Sequence, residues 1–227
     1  MLMKLTITEG KCGYCLQKIK SSGFANHITA CRKSPYKVGF KSRNGDKIFL
    51  IGIRSEIPSY WMFVEVKGSA SLNTLDDFLR KTWLECCGHM SHFIIGNTCY
   101  ERYPMEDDFD EVERRTMKIS MDEILSPKLI FNHEYDYGTT TITSLKVFAE
   151  RRGGVQKPVT IVVRNEPPEW KCAFCKNPAT KVCGICGLGF KAVMCKECLS
   201  KHECTKERGI ALPLVNSPRT GQCGYTG

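Results

Sequence analysis

The pattern Cys172-x2-Cys175-x7-Cys183-x2-Cys186-x8-Cys195-x2-Cys198-x3-His202-x-Cys204 places eight soft donors within 33 residues, and Cys12-x2-Cys15-x11-His27-x3-Cys31 places four more near the start of the chain. Thiolates two residues apart form a knuckle that turns both sulfurs toward one tetrahedral ion, and twelve donors divide into three complete four-coordinate shells. The expected cofactor is therefore zinc, three ions. A closed shell leaves no position for water or substrate, so these sites support recognition rather than metal catalysis. The C-terminal eight can pair in chain order, as Cys172, Cys175, Cys183, Cys186 and then Cys195, Cys198, His202, Cys204. They can also interleave, with Cys172, Cys175, Cys195 and Cys198 on one ion and Cys183, Cys186, His202 and Cys204 on the other.

A second set of reactive residue types lies between the modules: Cys86, Cys87, His89, His92 and Cys99, with His133, Glu134 and Asp136. Thiol beside imidazole could give a further metal site or an activated nucleophile. Against this, Cys86 and Cys87 follow a helical pattern as small apolar fillers, and His133 and Asp136 fall on opposite faces of an expected strand. No catalytic residue is assigned, and the chain is read as non-catalytic. Cys223 is the one C-terminal cysteine outside the ligand set, in a turn-rich tail whose Leu212, Leu214, Val215 and Tyr225 favour docking back onto the protein.

The net charge of +9 is unevenly spread. Residues 1 to 47 carry ten Lys/Arg against two acids, residues 48 to 165 carry fourteen against seventeen, and residues 166 to 227 carry nine against five. Basic end modules on a mildly acidic core point to a polyanion, with nucleic acid the usual one. Lys18, Lys20, Arg32, Lys33, Lys37, Lys41 and Arg43 are the candidate phosphate contacts. Tyr14 and Phe174, inside their knuckles, are the candidate base-stacking residues. The first turn of the finger helix, Ser-Gly-Phe-Ala-Asn, lacks the Arg or Gln that reads purine edges, so RNA or a ribonucleoprotein is favoured over sequence-specific duplex DNA. Fourteen cysteines without a secretory leader fit zinc in a reducing cytoplasm, and no stretch is long and apolar enough for a bilayer, so no membrane partner is expected.

The elements that must position these residues follow from periodicity. Leu2 to Ile7 alternates as a strand, and a helix capped by Ser21 or Ser22 places His27 and Cys31 on one face. With Ile19 and Phe24 as its core, this module resembles a ββα finger with Cys replacing the last His. Asn44-Gly45 signals a hairpin between Tyr36 to Lys41 and Lys47 to Arg54. Tyr60 to Val66, Phe93 to Ile95, Thr98 to Glu101, Lys128 to Tyr135, Thr140 to Phe148 and Val159 to Val163 read as strands, with a turn at Arg151 to Gly154. Leu72, Leu75, Phe78, Leu79 and Trp83 recur at three and four, a helix laid on the sheet and capped by Ser71 or Asn73. Ser120 caps a further helical turn, Met121 to Leu125. The acidic run from Glu106 to Glu113 has no periodicity and reads as a solvated loop that could dock on the basic finger. Arg164 to Glu169, with its paired prolines, reads as a linker.

The spacing of the C-terminal ligands resembles cross-brace modules of the MYND and B-box type. That resemblance favours interleaved pairing and a possible protein partner. The segment Ile48 to Arg54, Tyr60-Trp61, the helix ending at Trp83, His89-x3-Phe93 and Glu134-Tyr135-Asp136-Tyr137-Gly138 resembles the Ri-plasmid open-reading-frame-three family, also described as an insertion-sequence passenger, TnpR-like group. The resemblance covers about half the chain and implies an α+β core with mobile-element association in some members, but no transferable reaction. The layout expected is a zinc finger over residues 1 to 40, an α+β core with a mixed sheet and one long amphipathic helix over 41 to 165, a double-zinc module over 166 to 210, and a tail over 211 to 227. The function expected is recognition of nucleic acid, with a protein adaptor as the alternative and an enzyme of unknown reaction third.

Overall fold

Ile48–Ile53 is an unbroken run of residues that are fully covered on both sides of the backbone, a pattern that arises when a sheet has packing on each face. The computed structural model describes residues 7–36, 44–104, 112–187, 192–204 and 210–227. Among these, the strands form an eight-stranded mixed sheet, a two-stranded ribbon and a three-stranded sheet. The large sheet has the order β10-β4-β3-β9-β8-β5-β6-β7. Its strands are β3 (Asp46–Ser55), β4 (Trp61–Lys67), β5 (Ser91–Ile95), β6 (Thr98–Glu101), β7 (Glu113–Thr116), β8 (Ile130–Tyr135), β9 (Thr141–Gly153) and β10 (Val159–Arg164). Every pairing is antiparallel except β6 with β7.

One face carries Phe49, Ile51, Ile53, Met62, Val64, Leu145 and Val147, and packs on helix α2 (Leu72–Leu79) and on Trp83. The long amphipathic helix expected from periodicity is shorter. It is α-helical for eight residues and then widens into a five-residue π-turn, Arg80–Leu84, closed by Glu85 N–H donating to Arg80 O at 2.9 Å. The turn keeps Trp83 and Leu84 buried and delivers the chain to Cys86. Ser71 is the N-cap of α2 but bonds Thr74 Oγ1 rather than backbone. Ser120 forms a full capping box with Glu123 at α3 (Met121–Ile124).

The opposite face of β10, β4 and β3 presents Leu50, Trp61, Phe63, Val162 and Val163 to the N-terminal finger, whose Cys12, Ile19, Phe24 and Ile28 complete the cluster. The finger consists of β1 (Glu9–Lys11), β2 (Lys18–Lys20), a 3-10 turn at Ser21–Gly23 and α1 (Phe24–Ala30). Its helix begins after Gly23 with no side-chain cap, so neither Ser21 nor Ser22 has the expected role. Gly10 bridges Asn165, Gly13 N–H donates to Val162 O at 2.6 Å, and Glu166 N–H donates to Glu9 O at 2.6 Å. The expected linker is thus docked backbone. Asn165 is buried, and its Oδ1 accepts from Trp61 N–H at 3.1 Å.

Other boundaries shift as well. β9 runs through Arg151 to Gly153 because Arg151 is drawn into the sheet by Glu65, a carboxylate it grips at 2.9 and 2.7 Å. β3 pairs with β4 and β9, and Gly45, at φ +103°, lies against the backbone of Gly153 at the end of that ladder. Residues 2–6 of the expected strand Leu2 to Ile7, and the hairpin arm beyond Tyr36, lie outside the described residues, as does most of the acidic run, and Ile7 itself is not in a strand. Glu113 from that run opens the exposed edge strand β7. The C-terminal module holds β11 (Lys181–Cys183), β12 (Val193–Met194), α4 (Lys196–Ser200) and β13 (Ala211–Pro213), with β11 central. No helix among the described residues is long and apolar enough to cross a membrane.

Candidate metal centres

Three knuckles share one backbone turn. Leu16 N–H donates to Cys12 O at 2.8 Å, Lys176 N–H to Cys172 O at 3.2 Å and Gly187 N–H to Cys183 O at 3.1 Å. The residue after each second cysteine is left-handed, with φ of 65° at Leu16, 65° at Lys176 and 62° at Gly187. This turn aims successive backbone N–H groups at the first sulfur. Burial pushes the Cys172 thiol up, but N–H groups of Cys175, Cys195 and Phe174 outweigh it and bring it down to about 6. Cys183 is shifted the same way by Cys186 and Ile185. A sulfur so surrounded is prepared to be the thiolate that a metal requires.

The donor atoms gather into tetrads that could hold a metal ion. Cys12, Cys15, His27 and Cys31 form one, with Cys15 Sγ 3.4 Å from His27 Nε2. His27 lies on α1 and Cys31 just past its end. The C-terminal donors interleave: Cys172, Cys175, Cys195 and Cys198 form one set, and Cys183, Cys186, His202 and Cys204 the other. Cys175 and Cys195 sulfurs are 3.6 Å apart, Cys186 and Cys204 sulfurs 3.7 Å, and Cys186 Sγ is 3.4 Å from His202 Nε2. Zinc–thiolate bonds of about 2.3 Å require sulfur–sulfur edges of about 3.8 Å, so these donor sets fit the ion. Interleaving follows from topology, because β11 carries Cys183 from one site to the other, while Cys195 is the N-cap of α4.

A fourth tetrad, Cys86, Cys87, His89 and Cys223, is also gathered. Cys86 packs partly against the core, but Cys87 is exposed and is no apolar filler. Sequence reasoning left Cys223 unassigned because the signal is three-dimensional: its partner His89 is 134 residues away. His92, Cys99 and Glu101 form a smaller group, in which His92 Nδ1 is 2.7 Å from the Tyr137 hydroxyl.

Beside the fourth tetrad lies a cavity of about 540 Å³ whose lining includes Arg80, Glu85, His89, Arg102, Arg114 and Tyr137. Its cations are paired, Arg80 with Asp76 and Glu85, Arg102 with Asp76 and Asp77, and Arg114 with Glu101. Asp76 is the hub. It is fully buried, and its carboxylate accepts from Arg80 Nε at 2.9 Å, Ser91 Oγ at 2.7 Å, His133 Nε2 at 2.8 Å and Arg102 Nη2 at 2.5 Å. Burial alone would raise its pKa. The bonds from His133, Arg102 and Ser91 override that and hold it well below the usual carboxylate range. Burial lowers the His133 pKa against the pull of Asp76, so the ring is the neutral donor in the pair. His133 is thus tied to Asp76 inside the core, and Asp136 is paired with Arg219 instead.

The candidate nucleic-acid contacts are unequal. Lys20, Arg32 and Lys33 are exposed, and Lys18 is exposed but ion-paired with Glu166 at 3.2 Å. Lys37, Lys41 and Arg43 lie outside the described residues. Tyr14 is taken up by packing against the finger–sheet cluster with its hydroxyl buried near Glu65, which removes it as a stacking residue. Phe174 is 53% exposed.

No family model matches the chain, and no curated protein does. A solved structure, a protein of unknown function from Methanosarcina mazei Go1, is similar over 52% of this chain and 71% of its own, at 15% identity and a TM-score of 0.43. That likeness is too distant to carry function.

Proposed function

We propose that the protein is a non-catalytic, zinc-scaffolded recognition protein of the reducing cytoplasm, whose N-terminal finger binds the phosphate backbone of single-stranded RNA, free or in a ribonucleoprotein. Zinc at the three predicted sites is part of this reading, as is a core of the Ri-plasmid open-reading-frame-three type to which no reaction is assigned. The observation that carries it is the surface of the finger. Residues 7–36 expose Lys11, Lys18, Lys20, Arg32 and Lys33 against the single acid Glu9, and of these five cations only Lys18 has an acidic partner among the described residues. Arg32 and Lys33 border an open groove of about 350 Å³ beside Cys15, His27 and Cys31. A surface with several cations that lack acidic partners among the described residues binds polyanions by counterion release.

The test is fluorescence anisotropy of a labelled single-stranded RNA against zinc-loaded protein. With four phosphate contacts, affinity should fall about 50-fold between 50 and 200 mM salt. The triple variant Lys20→Glu, Arg32→Glu, Lys33→Glu should lose binding with its zinc content intact. Binding that is independent of salt and survives the triple variant would overturn the reading.

A second reading, a protein adaptor, rests on the C-terminal module. Ile185 and Ile210 are 41% and 43% exposed, and Ile210 packs close against Gly184, the residue before Ile185.

A further inference from the structure

Cys86 and Cys87 follow the π-turn, His89 comes one residue after them past Gly88, and Cys223 arrives from the tail. Cys87 Sγ is 3.0 Å from His89 Nε2 and 3.5 Å from Cys223 Sγ. His89 Nε2 is 3.3 Å from Cys223 Sγ, and Cys86 Sγ is 3.7 Å from Cys87 Sγ. All four donor atoms lie within 4.8 Å of one another. The sulfur–sulfur edges match those of the C-terminal donor sets and of a zinc shell with about 2.3 Å bonds to sulfur, and the contacts to His89 nitrogen are shorter. Apolar packing does not account for the cluster, since Cys87 and Cys223 are exposed.

The backbone is bent to make the meeting possible. Cys223 is left-handed at φ 46°, between Gly221 at 81° and Gly224 at 70°. A side-chain-bearing residue holds such a conformation only where its surroundings impose it. Those surroundings are extensive. Arg219 is fully buried, pairs with Asp136 and donates to Thr139 O and Thr141 Oγ1. Ser217 Oγ donates to Trp83 O at 2.6 Å, and Tyr225 is buried. Arg219 Nη2 lies 3.7 Å from Cys86 Sγ, where it can donate to a thiolate as the outer-shell partner of a metal ligand does.

We propose that Cys86, Cys87, His89 and Cys223 form a fourth, structural zinc site that fastens the C-terminal segment to the turn after α2. Three thiolates and one neutral imidazole close the shell, so the ion is a clasp and not a catalyst. It adds one ion to the three of the recognition reading and stands or falls separately from them.

The experiment is metal counting by mass spectrometry on the full chain, zinc-loaded and kept under a phosphine reductant. Wild type should carry four zinc ions per chain, Cys223→Ser three, and Cys99→Ser four. Three ions in wild type, unchanged in Cys223→Ser, overturn the proposal. A loss of ions from Cys175→Ser, with Cys223→Ser unaffected, would leave the C-terminal sites standing while the fourth fell. Should Cys223→Ser fail to fold, wild type alone decides. Cys87 and Cys223 should resist N-ethylmaleimide until a chelator is added. Immediate labelling of both in zinc-replete protein, or a Cys87–Cys223 disulfide in place of metal, overturns it.

Discussion

Asp76 collects four side-chain donors from four parts of the chain, the π-turn, β5, β8 and Arg102 just beyond β6. Removing its charge leaves two arginines aimed at a neutral group inside the protein, so Asp76→Asn should lower stability by about 3–5 kcal/mol, measured by urea unfolding. The pH dependence has a definite sign. A carboxylate held below its unfolded pKa of about 3.9 contributes its full stabilisation above that value and loses it as pH falls through the depressed folded pKa. The acid limb of the core's unfolding should therefore be displaced to lower pH in wild type and flattened in Asp76→Asn, read by tryptophan fluorescence. None of this was legible from spacing. Asp76 occurs in the sequence as one of two acids in the first half of a helix. Its role comes from Ser91, Arg102 and His133, 15, 26 and 57 residues further on. The gathering of the candidate metal donors was legible for the converse reason, because a knuckle needs only a local turn and CxxC encodes it within four positions.

Among the elements, the finger and strand β10 approach backbone to backbone at Gly10. A Cβ built on Gly10 would sit 2.3 Å from Arg164 O, a clash with backbone that cannot swing aside. Gly10→Ala should therefore cost about 1–3 kcal/mol and speed hydrogen exchange in both β1 and β10, whereas a finger merely tethered to the core would show no change in β10. The strands themselves were readable, and the apolar runs of β3 and β4 carried the further message that the sheet is covered twice. What covers it was not readable, since Ile19, Phe24 and Ile28 serve equally well as the private core of a free finger. Strand β7 escaped because all four of its residues are exposed, leaving no alternation to detect. The helix was overestimated because apolar spacing at three and four persists through the π-turn as well as the α-helix.

At the scale of the whole molecule, metal and core are linked. Structural zinc contributes roughly 10–16 kcal/mol to isolated fingers, and here the N-terminal finger shares a cluster with Leu50, Trp61, Phe63 and Val162. A strong chelator should therefore do more than unravel the ends. It should raise hydrogen exchange across β3, β4 and β10 and shift Trp61 emission to the red. Arg219 gives the molecule a further property. Its guanidinium fills a place beside Asp136 and Thr141 prepared by chain that lies about eighty residues earlier, with both C-terminal candidate metal sites encoded in between. During synthesis, then, the sheet emerges with the Asp136 carboxylate facing an unfilled place, and Arg219 follows only about eighty residues later. Domain-by-domain maturation from the N-terminus, the usual order for nascent chains, cannot finish this core. Residues 217 to 225 thus close a structure begun at residue 46.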